Sequence, residues 1–310
     1  MNIGIVGAGG IGSYYAALMA RAGHTVRLLA RGEHLAAIRS HGLEVRTPEE
    51  TFVARPEVTD RGDDLRDSEY VIVAVKSYSL AEVGPTLTGA ATSGATIVPL
   101  LNGIDVAERL AQLGVPRESI IGGLVAVSLF RTAPGKVERR SPFDRMVFGE
   151  LDHVRRDRTT KLVGAFAAAG VTTRASDDIG LDLWRKFAFI VPMNIASGLV
   201  RGPIGLMLAT ARGRAVVAGS LAEIVAVSRV AGTPLSEADE TQLRADLFAL
   251  PAHTRPSFLA DLERGGPTEL ELLVGNVSRL GREHGVPTPI HDVATAAFEA
   301  ATQPTGETAA

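Results

Sequence analysis

The chain has no cysteine, and this removes a disulfide scaffold, a thiolate metal site and a cysteine nucleophile together. It has little net charge: 32 Lys and Arg stand against 35 Asp and Glu, a formal balance of −3. Such a balance gives no electrostatic attraction to nucleic acid or to an anionic membrane. No apolar run is long enough to span a bilayer. No basic region precedes the first apolar stretch, so the N-terminus does not read as a secretory signal. The seven histidines are scattered, nothing resembles a metal-ligand cluster, and no metal is expected. What is left is an ordinary composition, 45% hydrophobic and 22% charged over 310 residues. That length suits two domains with sizeable cores. The expectation is a soluble, cytoplasmic globular protein with no nucleic-acid or membrane partner.

What is there begins at the N-terminus, with GIVGAGGIGSYYAALMARAGHTVRLLAR from Gly4 to Arg31. Asn2–Val6 is a short apolar run that predicts a strand. Ile11, Tyr14, Tyr15, Leu18, Met19 and Ala22 recur at helical spacing, and Gly23 stands where a helix ends. Thr25–Ala30 predicts the return strand. Between the first strand and the helix, Gly7-Ala8-Gly9-Gly10-Ile11-Gly12 spells G-x-G-x-x-G. The first glycine permits a tight turn, the second lets a pyrophosphate approach the backbone, and the third allows close helix–strand packing. The helix N-terminus offers free N–H groups to the phosphates. The motif is weak alone and strong in this strand–turn–helix context. At the end of the second strand an NAD-binding unit carries an acid for the ribose hydroxyls. Here Leu29-Ala30-Arg31 has none, and Arg31 can grip a 2′-phosphate, so the cofactor expected is NADP (as NADPH).

Further alternation follows. Tyr70–Val75 reads as a buried parallel strand and Ala95–Leu100 and Ile120–Ser128 as further strands, with helices after Ser79 and over Ile104–Leu113. Val137–Arg139 and Met146–Phe148 read as short antiparallel additions. From about Ser176 the pattern becomes helical, over Leu183–Val200, Gly213–Ala231, Glu237–Leu250, a segment opening at Thr268 with a Thr268/Glu271 capping box, and Ile290–Ala301. The fold class is therefore α/β: an N-terminal Rossmann-type doubly wound parallel sheet over residues 1–175, then an all-helical substrate domain over 176–305. Residues 306–310 are expected to be a disordered tail.

Three more signals carry chemistry. The strand over residues 70–75 ends in Lys76 within AVKSY, the next ends at Asn102 within LLNGI, and the first long helix carries Lys186 within WRKF. Polar residues just past the carboxyl ends of parallel strands are where α/β folds bind ligands. Lys186 sits in an apolar neighbourhood, WRKFAFIVPM, rather than on a charged face. Together with RPSFLADLERGGPTELELLVG these stretches resemble, in order and over nearly the whole chain, the ketopantoate reductase (2-dehydropantoate 2-reductase) family. The resemblance implies reduction of a small 2-keto acid by NADPH, in the service of pantothenate synthesis. It implies that Lys186 is the general acid and that Glu269 contacts the reacting oxygen. It implies that Lys76 and Asn102 lie near nicotinamide and substrate. It further implies that Asn194 and Ser257 bind substrate and that Asp261 orients the site. The chemistry is sensible on its own terms: hydride arriving at a carbonyl carbon builds negative charge on oxygen, and lysine supplies both a cation and a proton there.

The pattern departs from the family in one place. Lys186, Ile190 and Asn194 share a helix face, and better-studied members carry asparagine where Ile190 stands. Pro192 lies inside the same helix and is expected to bend it. The substrate is therefore expected to be bulkier or less polar than ketopantoate, or to bind differently. Arg201, in LVRGPIG, has two readings: contact with a substrate carboxylate from the far end of the helix, or a C-terminal cation that favours the helix dipole, the second being preferred. A related hydroxy-acid or imine oxidoreductase and a non-catalytic NADP-sensing protein are the alternative functions. The helical domain could support a homodimer, but no decisive apolar stripe marks a contact.

Overall fold

The computed structural model describes residues 1–302, and the expected tail lies outside them. The chain divides into two compact units. The first holds Met1–Leu101 and Asp105–Ile179, and the second holds Asn102–Ile104 and the chain from Gly180 onward.

The first unit opens with β1 (Asn2–Val6), α1 (Gly10–Arg21) and β2 (Thr25–Leu29). Then come α2 (Gly32–His41), β3 (Leu43–Arg46), β4 (Thr51–Ala54), β5 (Glu57–Thr59), β6 (Tyr70–Val73), α3 (Leu80–Thr92), β7 (Thr96–Pro99) and α4 (Val106–Gln112). The unit closes with β8 (Ile121–Ala126), β9 (Leu129–Ala133), β10 (Lys136–Arg139), β11 (Arg145–Glu150), α5 (Asp157–Ala168) and β12 (Thr172–Ala175). Five parallel strands form the main sheet, in the order β5-β2-β1-β6-β7. β6 and β7 are buried along their whole length, which is why β6 reads as a continuous apolar run. Val6 pairs with Leu29 on one side and Val73 on the other, so β2, β1 and β6 end level with one another. Two smaller sheets, β4-β3-β10-β9 and β12-β11-β8, complete the unit. β10 and β11 are antiparallel to β9 and β8 as expected, and each also has a parallel neighbour, β3 and β12.

The second unit is helical: α6 (Ile179–Val200), α7 (Gly205–Leu208), α8 (Ala211–Val230), α9 (Glu237–Phe248), α10 (Ser257–Arg264), α11 (Val274–His284) and α12 (Pro289–Thr302). Phe187, Val191, Ile195, Leu221, Ile224, Phe258, Val277 and Phe298 form its core. Trp184 is buried against Phe187, edge to face, so it packs rather than binds. Glu223 of α8 accepts from the backbone N–H groups of Ile290 and His291, which caps the start of α12.

One local expectation needs correction. The helix predicted from Thr268 begins at Val274, so Thr268 and Glu271 form no capping box. Thr268 Oγ1 instead accepts from the Leu270 N–H at 3.3 Å, a local turn that competes with the helix. α6 contains Pro192, and the missing proline N–H leaves the Ala188 carbonyl without its helical donor. Among the described residues no helix is long and apolar enough to cross a membrane.

Candidate active site

The first unit builds a loop from four glycines with separate reasons for being glycine. Gly7 has φ +105°, and a Cβ there would lie 2.7 Å from the Ala74 backbone. A Cβ at Gly12 would meet the Gly7 carbonyl oxygen at 1.9 Å, so α1 can approach β1 only with glycine there. A Cβ at Gly10 would meet the Leu129 carbonyl oxygen at 2.9 Å, where β9 crosses the start of α1. Gly9 is different. Its φ is −77°, which any residue adopts, and a Cβ there meets nothing within 4 Å. Neither conformation nor packing asks for that glycine, and the space over it fits a group from outside the chain. The N–H groups of Gly10, Ile11 and Gly12 open α1 without helical acceptors, and no acid stands in its first turn. The residues present, Ala8 included, therefore fit a dinucleotide pyrophosphate.

Neighbouring groups fix this loop. His34 is buried, and its Nδ1 accepts from the Gly135 N–H at 2.9 Å in the β9–β10 turn. Its Nε2 then carries the proton and donates to Ser13 Oγ, 3.0 Å away on α1. Burial, and then the charge of Arg131, push the His34 ring down to about 4, so it is neutral at physiological pH. Tyr14 and Tyr15 are buried in the same helix, as packing residues, and the Tyr15 hydroxyl donates to Asp144 at 2.5 Å. Lys76 is half-buried just beyond β6, at the start of the turn that leads to α3. Arg31 is exposed, at the N-cap of α2, and its guanidinium is ion-paired with Glu82 of α3.

The second unit gathers a different set. Asn102 and Gly103 precede Ile104, which packs on the helical core. Gly103 has φ +133°, and a Cβ there would overlap Leu272 at 2.8 Å. Glycine thus lets this segment lie against the 269–273 turn. Lys186 on α6 donates from Nζ to Asn102 Oδ1 at 2.9 Å. Although Lys186 is only half-buried as a residue, its ammonium is surrounded by protein. That burial pushes it down to about 8, and the negative charge of Glu269 acts in the other direction. Glu269 is 5% exposed and sits in the irregular turn, where its carbonyl accepts from the Leu272 and Leu273 N–H groups.

Asn102, Lys186 and Glu269 are thus brought together. Asn194 lies two turns beyond Lys186, is 4% exposed, and its side chain has no hydrogen-bond partner among the described residues. Ile190, between the two, is half-buried against the helical core. Ser257 opens α10 and is exposed, with no side-chain bond to the lysine cluster. Asp261, one turn on, is buried and paired with Arg264 at 3.1 Å. Arg201 is exposed with φ +47°, the residue that ends α6. Glu82, Gly103 and His34 were not singled out by the sequence. For Glu82 the available signal was an acid six residues past Lys76, in the first turn of a predicted helix.

Known proteins share this plan. Residues 3–153 match the family described as Ketopantoate reductase PanE/ApbA, and residues 178–302 match its C-terminal counterpart. The 2-dehydropantoate 2-reductase of Mesorhizobium japonicum is 31% identical over 320 residues, covering 96% of each chain. The crystal structure of 2-dehydropantoate 2-reductase from Geobacter metallireducens superposes with a TM-score of 0.89 at 28% identity, covering 97% of this chain and 100% of that one. A ternary structure of D-mandelate dehydrogenase with NADH and anilino(oxo)acetate shares the fold, with a TM-score of 0.87 at 24% identity over 97% and 98% of the two chains. The chain is thus an oxidoreductase acting on CH–OH groups, of a pyridine-nucleotide-dependent kind. It belongs to the ketopantoate reductase family.

Proposed function

We propose that the chain reduces a 2-keto acid to the 2-hydroxy acid at the expense of NADPH, with 2-dehydropantoate as the first candidate substrate and Lys186 as general acid. The observation that carries this reading is the buried Lys186 ammonium, hydrogen-bonded to Asn102 Oδ1 and held near neutral pKa by burial. A lysine poised near pH 8 is charged enough to attract a developing alkoxide and acidic enough to protonate it. The dihydronicotinamide, when bound, supplies the hydride to the carbonyl carbon. Lys186 gives one proton to the carbonyl oxygen and is left as a neutral amine, to be reprotonated from water. Glu269 supports the charged form of the lysine before transfer. Asn102 orients Nζ from its other side. The unpartnered Asn194 carboxamide suits a polar group of the substrate. Ser257 and Asp261 are assigned to substrate binding and to orientation of that region. The open backbone at Gly9 receives the pyrophosphate. Lys76 serves the nicotinamide end, and Arg31 the 2′-phosphate. A cytoplasmic setting accompanies this role.

Ile190 favours a second reading of the substrate. It gives an apolar side chain to the helix face between Lys186 and Asn194. A keto acid with an apolar substituent fits that face better than ketopantoate does. The test is loss of nicotinamide absorbance with NADPH and a panel of 2-keto acids, from ketopantoate to phenylglyoxylate. Mass spectrometry of the products accompanies it. Formation of a 2-hydroxy acid from any of them upholds the reaction, and the ranking sets the substrate. Failure across the panel with intact NADPH binding refutes it.

A further inference from the structure

The main sheet places two loops on either side of the glycine loop. β2, β1 and β6 are neighbours and end level at Leu29, Val6 and Val73. The chain after β1 is the glycine loop, the chain after β2 reaches Arg31, and the chain after β6 leads through a short turn into α3. Arg31 Nη1 donates to Glu82 Oε1 in the first turn of α3. The strands they follow are two inter-strand spacings apart, about 10 Å. The pair therefore joins the chain that follows β2 to the chain that follows β6, the two strands that flank β1 and its glycine loop. It also restores what the sequence lacked. Dinucleotide-binding units that take NAD hold the ribose hydroxyls with an acid at the end of the second strand. Here that position is Arg31, and the carboxylate comes from another element. Both side chains are more than half exposed, so the pair is weak by itself and open to exchange.

We infer, on the reading that the chain is a dinucleotide-dependent reductase, that Glu82 sets the choice between NADPH and NADH. With NADPH, the 2′-phosphate takes the Arg31 guanidinium, and Glu82 must let go and remain as a like charge nearby. With NADH, no phosphate competes, and Glu82 can accept from the ribose hydroxyls. Arg31 alone would make a strongly NADPH-selective protein, and Glu82 restrains that selectivity and keeps NADH admissible.

The test is the ratio of dissociation constants for NADPH and NADH, measured by fluorescence titration of the full chain and of Glu82→Gln. The substitution removes a carboxylate beside the phosphate, and the ratio should move toward NADPH by roughly three- to tenfold. The gain should shrink as salt is raised, because the groups are exposed. A general structural disturbance would move both cofactors alike. A ratio that is unchanged, or that moves toward NADH, overturns the assignment of Glu82 while leaving the reductase reading in place. A wild-type chain that binds neither dinucleotide takes down both.

Discussion

Replacing Asn102 by aspartate tests the electrostatics of the lysine cluster with almost no change of shape. Lys186 has a pKa near 8 because burial disfavours its charge. Its hydrogen-bond partner, Asn102 Oδ1, is neutral and 2.9 Å away. A carboxylate oxygen in that place would attract the ammonium by about 3–6 kcal/mol at an effective dielectric constant of about 20–40. Desolvation of the new carboxylate takes back a part of this, leaving an upward shift of about 1–2 pKa units. The sign follows from the role. As a general acid Lys186 must be protonated, so wild-type kcat/KM for reduction should fall as pH rises through about 8. The reverse oxidation needs the neutral amine and should rise through the same pH. In Asn102→Asp both midpoints should move up by about 1–2 units, whatever happens to the absolute rate. Initial rates from pH 6 to 10.5 in constant-ionic-strength buffers measure this. Identical midpoints in the two proteins, or a wild-type profile flat through about pH 8 in both directions, would refute the assignment of the proton to Lys186.

Four further outcomes are expected. Gly9→Ala should melt like wild type yet bind dinucleotide at least about tenfold more weakly, whereas Gly12→Ala, with a Cβ 1.9 Å from the Gly7 oxygen, should lose about 3–5 kcal/mol of stability; thermal melts paired with cofactor titration separate them. His34 has its folded pKa lowered from 6.5 to about 4, so the unfolded chain binds more protons between these values. Its stabilisation is full above about pH 6.5 and is lost as pH falls toward 4, by about 2 kcal/mol between pH 7 and 5, and urea midpoints of wild type and His34→Gln at the two pH values should diverge accordingly. Arg201→Gly should stabilise the chain by about 1 kcal/mol in urea unfolding, because a residue with a Cβ occupies φ +47° there. Ile190→Asn should move the ratio of kcat/KM values toward ketopantoate and away from apolar keto acids by about tenfold, and an unchanged ratio counts against Ile190 as a substrate-selecting residue.

The parts of the fold that could be read from the sequence are those with one dominant signal. β1, α1 and β2 combine an apolar run, a helical stripe and glycine punctuation. β6 is buried on both faces and so reads as an unbroken apolar run. The segment over α2, β3, β4 and β5 could not be resolved in the same way. α2 buries only His34, Leu35 and Ile38, and β3 and β4 are four residues each with charged or exposed outward positions. Their pairing is fixed by partners remote in sequence, such as β10 with β3, which no local pattern reveals. The Thr268 error has the same origin: a capping-box spelling was present, but the Thr268 hydroxyl bonds two residues on instead of three. In the candidate site, Lys186 and Asn102 stood out because each is a polar residue at the edge of an apolar run, and the structure joins them by a hydrogen bond. Glu82 did not stand out, because an acid in a helix's first turn is ordinary, and only the sheet order brings it to Arg31. Ser257 matched a motif, yet its exposed hydroxyl bonds none of the lysine cluster.

The most direct measurement of the central claim is hydride tracing. NADPH deuterated at the transferring position of C4 would be incubated with the preferred 2-keto acid, using wild type and Lys186→Ala. The account predicts one deuterium at C2 of the 2-hydroxy acid with wild type, and a rate lower by about two to four orders of magnitude without the lysine. A product free of deuterium, or equal rates from the two proteins, would contradict it.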